Sequence, residues 1–360
     1  MAYLPLSTAN LPDPAINPAQ GSSPEDYFNT VTYNGNSSNP ASVTGVGFQP
    51  DFVWVKTRSF GNTNHRLQDV VRGSNKRVMS DLTSAEIDTA GGIQSFDSDG
   101  FTVGDGTSKD GFIHFGGRTF VAWNWKANGS GVSNTDGLTP STVSANTESG
   151  FSIVSYEGTG SATTVGHGLN STPEMVIFKS RTLAANWVVV QSMVGNPVNG
   201  DYILLNGTSG LANSANVNTT LGNSFITLDV LNWYNGSGDD IIAYYFHSVE
   251  GFSKFGSYSG TDSADGPFIY TGFRPSLVIV KCTTNADDWC ILDSERDSYN
   301  VADALIKANG ADAELEYTSL DMLSNGFKLR VTNSYRLNKG GASFIYMAFA
   351  ENPFKYSNAR

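Results

Sequence analysis

Cleaving a glycoside takes two carboxylates facing each other across a sugar, and the chain offers two local acidic pairs, Asp97/Asp99 and Asp239/Asp240. The first lies in Asp97-Ser98-Asp99-Gly100, and a later segment rebuilds the same turn as Ser324-Asn325-Gly326 without the acids. That exchange assigns a hairpin turn, since Asp-Gly and Asn-Gly both accept the backbone geometry it needs. Two carboxylates are also too few to hold Ca²⁺ by themselves. Asp239/Asp240 follow Asn-Gly-Ser-Gly and read as a solvated turn. His65, His114, His167 and His247 are scattered without ligand spacing. No Gly-x-Gly pair acquires the third glycine of a dinucleotide loop, and Gly-Lys, Gly-x-Ser-x-Gly, Cys-x-x-Cys and His-Glu-x-x-His do not occur. The expectation is a non-enzymatic protein with no catalytic residue, metal or cofactor.

Aromatic residues carry more signal, because an exposed ring can stack on a sugar. The candidate ligand face is the loop from Asn232 to Asp240, where Trp233 and Tyr234 have Asn235, Asp239 and Asp240 as polar neighbours. Trp123, Trp187 and Trp289 recur at set positions in a repeated pattern and are assigned to core packing.

That pattern organises the chain. GFQPDFVWVKTRS (Gly47 to Ser59) returns as LNSTPEMVIFKSR (Leu169 to Arg181) and GFRPSLVIVKCTT (Gly272 to Thr284). A Tyr-x-Gly (Tyr33, Tyr156, Tyr258) precedes the proline (Pro50, Pro173, Pro275) by seventeen residues, and a lysine (Lys56, Lys179, Lys281) follows it by six. Val121-Ala122-Trp123, Ile242-Ala243-Tyr244 and Met347-Ala348-Phe349 close the three copies. Self-similarity of this kind fixes an architecture before any single residue does. The proline is expected to position strand entry, the alternation after it to pack one face, and the lysine to end the strand in solvent.

Short strands with small-residue turns every 8 to 15 residues predict an all-β chain of three tandem β-sandwich or jelly-roll-like repeats. The expected boundaries are an extended Pro-rich arm at 1–26, repeats at 27–128, 150–249 and 250–360, and a Gly/Ser/Thr/Asn linker at 129–149. Asp303 to Glu316 is a candidate short helix. Leu4, Pro5, Leu11, Pro12, Pro14 and Ile16 are the candidate docking residues of the arm, which is expected to become ordered only against a partner.

A formal charge of −12 argues against nucleic-acid binding, because no basic stripe overrules the net field. No signal peptide and no apolar run long enough to span a bilayer are read, so membrane insertion is not expected. Cys282 and Cys290 flank an Asn-Ala-Asp-Asp turn and could face each other; they read as small reduced hydrophobes rather than a disulfide framework.

The words GVGFQPDFVWVKTRS, SFDSDGFTVG, TFVAWNWKANG, NTDGLTPSTVSANTESGFSIVSYEGTG, VEGFSKFGSYSGT and YMAFAENPFKYSNA, in this order, resemble a family of tandem-repeat proteins of tailed, often marine, bacteriophages. The resemblance covers nearly the whole chain after residue 26. It implies a virion structural protein, assembled in the host cytoplasm and tail-fibre-like or otherwise tail-associated, with host attachment as a role. Its implied partners are other virion proteins met through the arm, further copies of itself, and a host-surface glycan. A capsid decoration or capsid fibre protein and a free carbohydrate-binding lectin are the alternatives. No catalytic residue is carried over.

Overall fold

The computed structural model describes residues 8–88, 91–104 and 113–357. The chain is all-β, built from several antiparallel sheets. Each copy of the repeat contributes one principal sheet. In copy 1 it runs in the order Phe28–Asn34, Thr119–Trp125, Phe52–Thr57, Arg66–Asp69. In copies 2 and 3 the corresponding sheets have eight strands each. The copy 3 sheet curls until Phe273–Cys282 packs across onto Leu315–Leu323 and Gly326–Leu329, nearly closing into a barrel. In every copy the strand after the proline pairs with the closing strand, which also pairs with the opening strand.

Both faces of these sheets are buried, which corrects the expectation of one packed face. Successive side chains on a strand point to opposite faces. Phe52 and Trp54, Met175 and Ile177, and Leu277 and Ile279 all join one large apolar cluster drawn from all three copies. Their alternates join the core of their own copy: Val53 and Val55, Val176 and Phe178, Val278 and Val280. The closing strands obey the same division. Trp123, Tyr244 and Phe349 point into the shared cluster, while Ala122, Ala243 and Ala348 point into the local cores. The three copies therefore surround a common core and are not beads on a string.

Three further expectations change. Residues 129–149 contain strands Val132–Asn134 and Ser141–Asn146, which extend the copy 2 sheet. The segment 303–316 lies in strands Ala302–Lys307 and Leu315–Leu323 and the turn joining them, because Ala304, Leu305 and Ile306 are buried on both faces of the sheet. The N-terminal segment from Thr8 is not extended: short 3₁₀ turns at Thr8–Asn10, Pro18–Gln20 and Pro24–Asp26 fold it against its own chain. Ile16 enters the shared core, and Asn17 donates to the Pro14 carbonyl at 2.7 Å. Pro14 crosses the turn at Gly251, where a Cβ would stand 2.6 Å from the proline ring and φ is +81°; only glycine fits there. The hairpins at Asp97–Gly100 and Leu323–Gly326 form as expected. No helix of the described residues is long and apolar enough to cross a membrane.

Candidate functional site

The side chains with the richest chemistry meet where the copies meet. Lys56, Lys179 and Lys281 are buried, not solvent-exposed as the sequence pattern suggested. Each ammonium reaches into a neighbouring copy. Lys56 donates to the Asp312 carbonyl at 2.7 Å, Lys179 to the Thr83 carbonyl at 3.0 Å, and Lys281 to the Thr208 carbonyl at 2.8 Å. Copy 1 thus binds copy 3, copy 2 binds copy 1, and copy 3 binds copy 2, which closes a ring. Within its own copy Lys179 also bonds the Ala185 carbonyl, and Lys281 the Asp287 carbonyl. Burial pushes all three amines down to about 8.

A second contact repeats around the ring. Trp187 Nε1 donates to the Met79 carbonyl at 2.8 Å and Trp289 Nε1 to the Leu204 carbonyl at 2.9 Å. Copy 1 has His65 in that place, and the imidazole makes the equivalent bond, Nε2 to the Lys307 carbonyl at 2.8 Å. Its Nδ1 accepts from Trp54 Nε1 at 2.8 Å, which fixes the Nε2–H tautomer. Burial, with Lys56 close by, holds this imidazole well below its usual range, so it is a neutral structural donor. A third contact is purely backbone: Glu86 N to Arg181 O, Glu314 N to Arg58 O, and Leu211 N to Thr283 O, at 2.7–2.9 Å.

Two of the three junctions add a charged cluster. Where copy 2 meets copy 1, Arg72 is held by Asp69 at 2.6 Å and by Glu86 at 3.2 Å. Glu86 also pairs with Arg181 at 3.0 Å, and the Tyr244 hydroxyl donates to Asp69 at 2.8 Å. Where copy 1 meets copy 3, Arg296, Asp293, Glu314 and Arg58 repeat the arrangement at 2.6, 3.0 and 2.8 Å. Trp123 Nε1 there donates to Asp293 at 2.9 Å, in place of the tyrosine. Asp81 accepts from the His65 backbone N–H at 3.1 Å; burial raises this carboxyl to about 6.

Of the candidate ligand loop, Tyr234 and Asn235 are fully buried. Tyr234 donates to the Asn216 carbonyl, and its own carbonyl accepts from the Tyr156 hydroxyl at 2.6 Å. Asn235 donates to the carbonyls of Ser161 and Asp229 and accepts from Thr159 N. Copy 3 builds the same latch from Tyr258, Leu337 and Asn338. In copy 1, Tyr33 bonds the Ile113 carbonyl and His114 bonds Asn36. The loop is framework that differs in sequence between copies but not in role. Trp233 is half-buried against the copy 2 core, Asp239 accepts from Thr182, and Asp240 is exposed at a strand start. These residues do not converge on one face.

Of the arm residues, Leu4 and Pro5 lie outside the described residues. Pro14 and Ile16 pack internally, while Leu11 and Pro12 face outward. Asp97 accepts from Ser95 and Thr102, and Asp99 from Gly45 N and Gly47 N, so both acids brace their own loops. Cys282 and Cys290 are free and buried. Among the described residues no group of three or more His, Cys, Asp or Glu side chains is placed to hold a metal ion.

The sequence pattern alone assigns the recurring tryptophans to core packing and the lysines to solvent. The overlooked signal was position: a lysine at the same step of three buried strands has the same buried partner three times. No curated protein sequence matches the chain. A family model described as a domain of unknown function, DUF7483, matches residues 23–353, and the chain belongs to that family.

Proposed function

We propose that the chain is a non-enzymatic structural protein of a bacteriophage particle, tail-associated, whose three β-sandwich-like repeats form one rigid display unit. The observation that carries this reading is the use of the recurrent reactive side chains. The lysines, the Trp/His donors and the buried acids join copy to copy within the chain. Lysines and Trp/His donors committed to backbone carbonyls, and buried acids committed to arginine, tyrosine and tryptophan donors, serve cohesion, which is what a component exposed on a particle requires. The ring is closed inside one chain, so no second copy is needed to complete its core. The assignment to a phage comes from the sequence resemblance. Cryo-electron microscopy of intact particles tests it: density for this fold on the tail is expected. Density at capsid symmetry axes would move the protein to the shell, and its absence from purified particles would end the particle assignment.

A further inference from the structure

We infer that the groove between the N-terminal segment and copy 3 is a binding site for a neutral saccharide. The groove has a volume of about 430 Å³, within the range of small-molecule sites. Pro12, Pro14, Glu250, Lys254, Tyr270 and Phe354 are among the residues that line it. It exists only because the N-terminal segment folds back across Gly251.

Tyr270 is set up as a platform. It ends the three-residue strand Phe268–Tyr270, the last strand of its sheet, which pairs with Gly326–Leu329 alone. Ile269 points into the copy 3 core, so its neighbours must point outward, and Tyr270 is 53 % exposed. Five residues before the recurrent proline of the repeat, copies 1 and 2 have Gly45 and Gly168, and copy 3 has Tyr270. Gly45 and Gly168 turn through left-handed backbone, whereas copy 3 runs this stretch as a strand, so the ring has no counterpart in the other two copies.

The polar groups beside it are not tied up in hydrogen bonds within the described residues. The Lys254 ammonium lies 5.5 Å from the centre of the Tyr270 ring. The side chains of Lys254 and Glu250 and the Tyr270 hydroxyl make no hydrogen bond to any described residue. They contrast with the buried lysines and acids, whose partners are all internal. An aromatic face and proline rings suit the C–H face of a pyranose. A carboxylate accepts sugar hydroxyls in charge-assisted bonds, and an ammonium donates to them. The net charge of −12 disfavours a polyanion. Beyond Glu250 a second, more polar groove of about 490 Å³ carries Tyr27, Glu148 and His247, so a chain of more than one sugar can continue past the turn.

The test uses the full chain in solution, so its outcome is independent of where the protein sits in a particle. Saturation-transfer NMR against glucose, galactose, mannose and N-acetylglucosamine, with their β-linked disaccharides, is expected to show transfer to ring C–H protons for at least one. Tyr270→Ala should weaken that binding about tenfold, while Tyr270→Phe keeps it within about twofold. Glu250→Gln should weaken it about threefold or more. Tyr270 is exposed, so an unchanged melting temperature separates lost binding from lost folding. Absence of transfer from every saccharide overturns the proposal, as does binding that Tyr270→Ala leaves intact. Binding of a lysine-rich peptide in their place would also overturn it and make the groove a cationic-peptide site.

Discussion

The junction of copy 2 on copy 1 and that of copy 3 on copy 2 share a buried ammonium and an indole N–H on backbone carbonyls and one backbone bond, yet only the first adds a cluster of ion pairs. At the first, five residues form a set: Asp69, Arg72, Glu86, Arg181 and Tyr244. At the other, the corresponding positions are Gln191, Val194, Leu211, Thr283 and Phe349. No member of the set survives alone. Gln191 turns to its own loop, accepting from Met193 N and Val194 N, and Phe349 packs among Phe28, Phe252 and Phe255. The junction of copy 1 on copy 3 has the full set again, with Trp123 as donor. The physical reason is the cost of a remainder. A buried ion pair is close to neutral against an apolar replacement, whereas a buried charge without its partner costs several kcal/mol. Charge at these sites must arrive or leave as a set. The lysine, the Trp/His donor and the backbone bond are what a junction cannot omit.

The comparison breaks most sharply if one member of the set is removed. Asp69→Ala leaves Arg72 buried with only Glu86 as a charged partner, and a loss of about 3–5 kcal/mol is expected. Gln191→Ala, at the equivalent place, removes only bonds within a turn and should cost about 1–2 kcal/mol. Urea denaturation of both variants checks the ratio; equal losses would show that the charge carries no special penalty.

The shared lysines predict a pH dependence. Lys179 is held by backbone carbonyls with burial as the cause of its fall from 10.5 to about 8. Below about pH 8 both folded and unfolded chains carry the proton, and the cost of the buried charge is fully present. Between about 8 and 10.5 only the unfolded chain holds it, so this lysine's contribution to stability rises with pH. The buried tyrosines titrate in the opposite sense above their usual range, so wild type alone does not isolate the effect. The difference in stability between wild type and Lys179→Met does, and it should grow in favour of wild type by about 3 kcal/mol across that window. A difference that stays flat from pH 7.5 to 10.5 would mean the ammonium is as well solvated by its carbonyls as by water.

The all-or-none rule itself is tested by replacing the whole set. Asp69→Gln, Arg72→Val, Glu86→Leu, Arg181→Thr and Tyr244→Phe together reproduce the residues of the third junction. The expected change in stability is within about 1–2 kcal/mol of zero, far below that of Asp69→Ala alone. A loss exceeding that of Asp69→Ala would show that the clusters stabilise the ring as intact pairs.

How much of this was written in the sequence depends on the kind of contact. The strand after each proline was legible, because Val53-Trp54-Val55 and its counterparts alternate and carry β-branched residues. The proline-entry and Asn-Gly or Asp-Gly turns were legible for the same local reason. What alternation cannot say is whether the second face meets water or another copy, so Lys56, Lys179 and Lys281 were assigned to solvent. Ala302 to Lys307 has helix-forming residues, but burial on both sides makes it a strand; tertiary packing overrides such propensities. Trp233 and Tyr234 fall outside the shared sequence pattern because copy 3 has Arg336 and Leu337 there, where only the backbone carbonyl and the following asparagine are common. Tyr270 could have been found by asking where one copy adds bulk to a glycine of the others.

The smallest effect tests whether the rim of a cluster matters apart from its buried part. The Arg58–Glu314 pair keeps 24 and 18 % side-chain exposure, unlike the fully enclosed Arg72–Asp69. Thr283 and Leu211 share the backbone bond that sits beside each such pair, at 2.7 Å. Thr283→Arg with Leu211→Glu therefore builds the rim at the third junction with nothing buried beneath it. Leu211 packs against the shared core, so Leu211→Glu alone loses apolar contact, and only a double-mutant cycle isolates the new pair. A coupling below about 1 kcal/mol, shrinking with salt, is expected for a partly exposed pair. A coupling of about 3 kcal/mol or more would mean that the outer arginine and glutamate hold the ring by themselves, and the two kinds of junction would then differ at the rim rather than in the buried Asp–Arg pair.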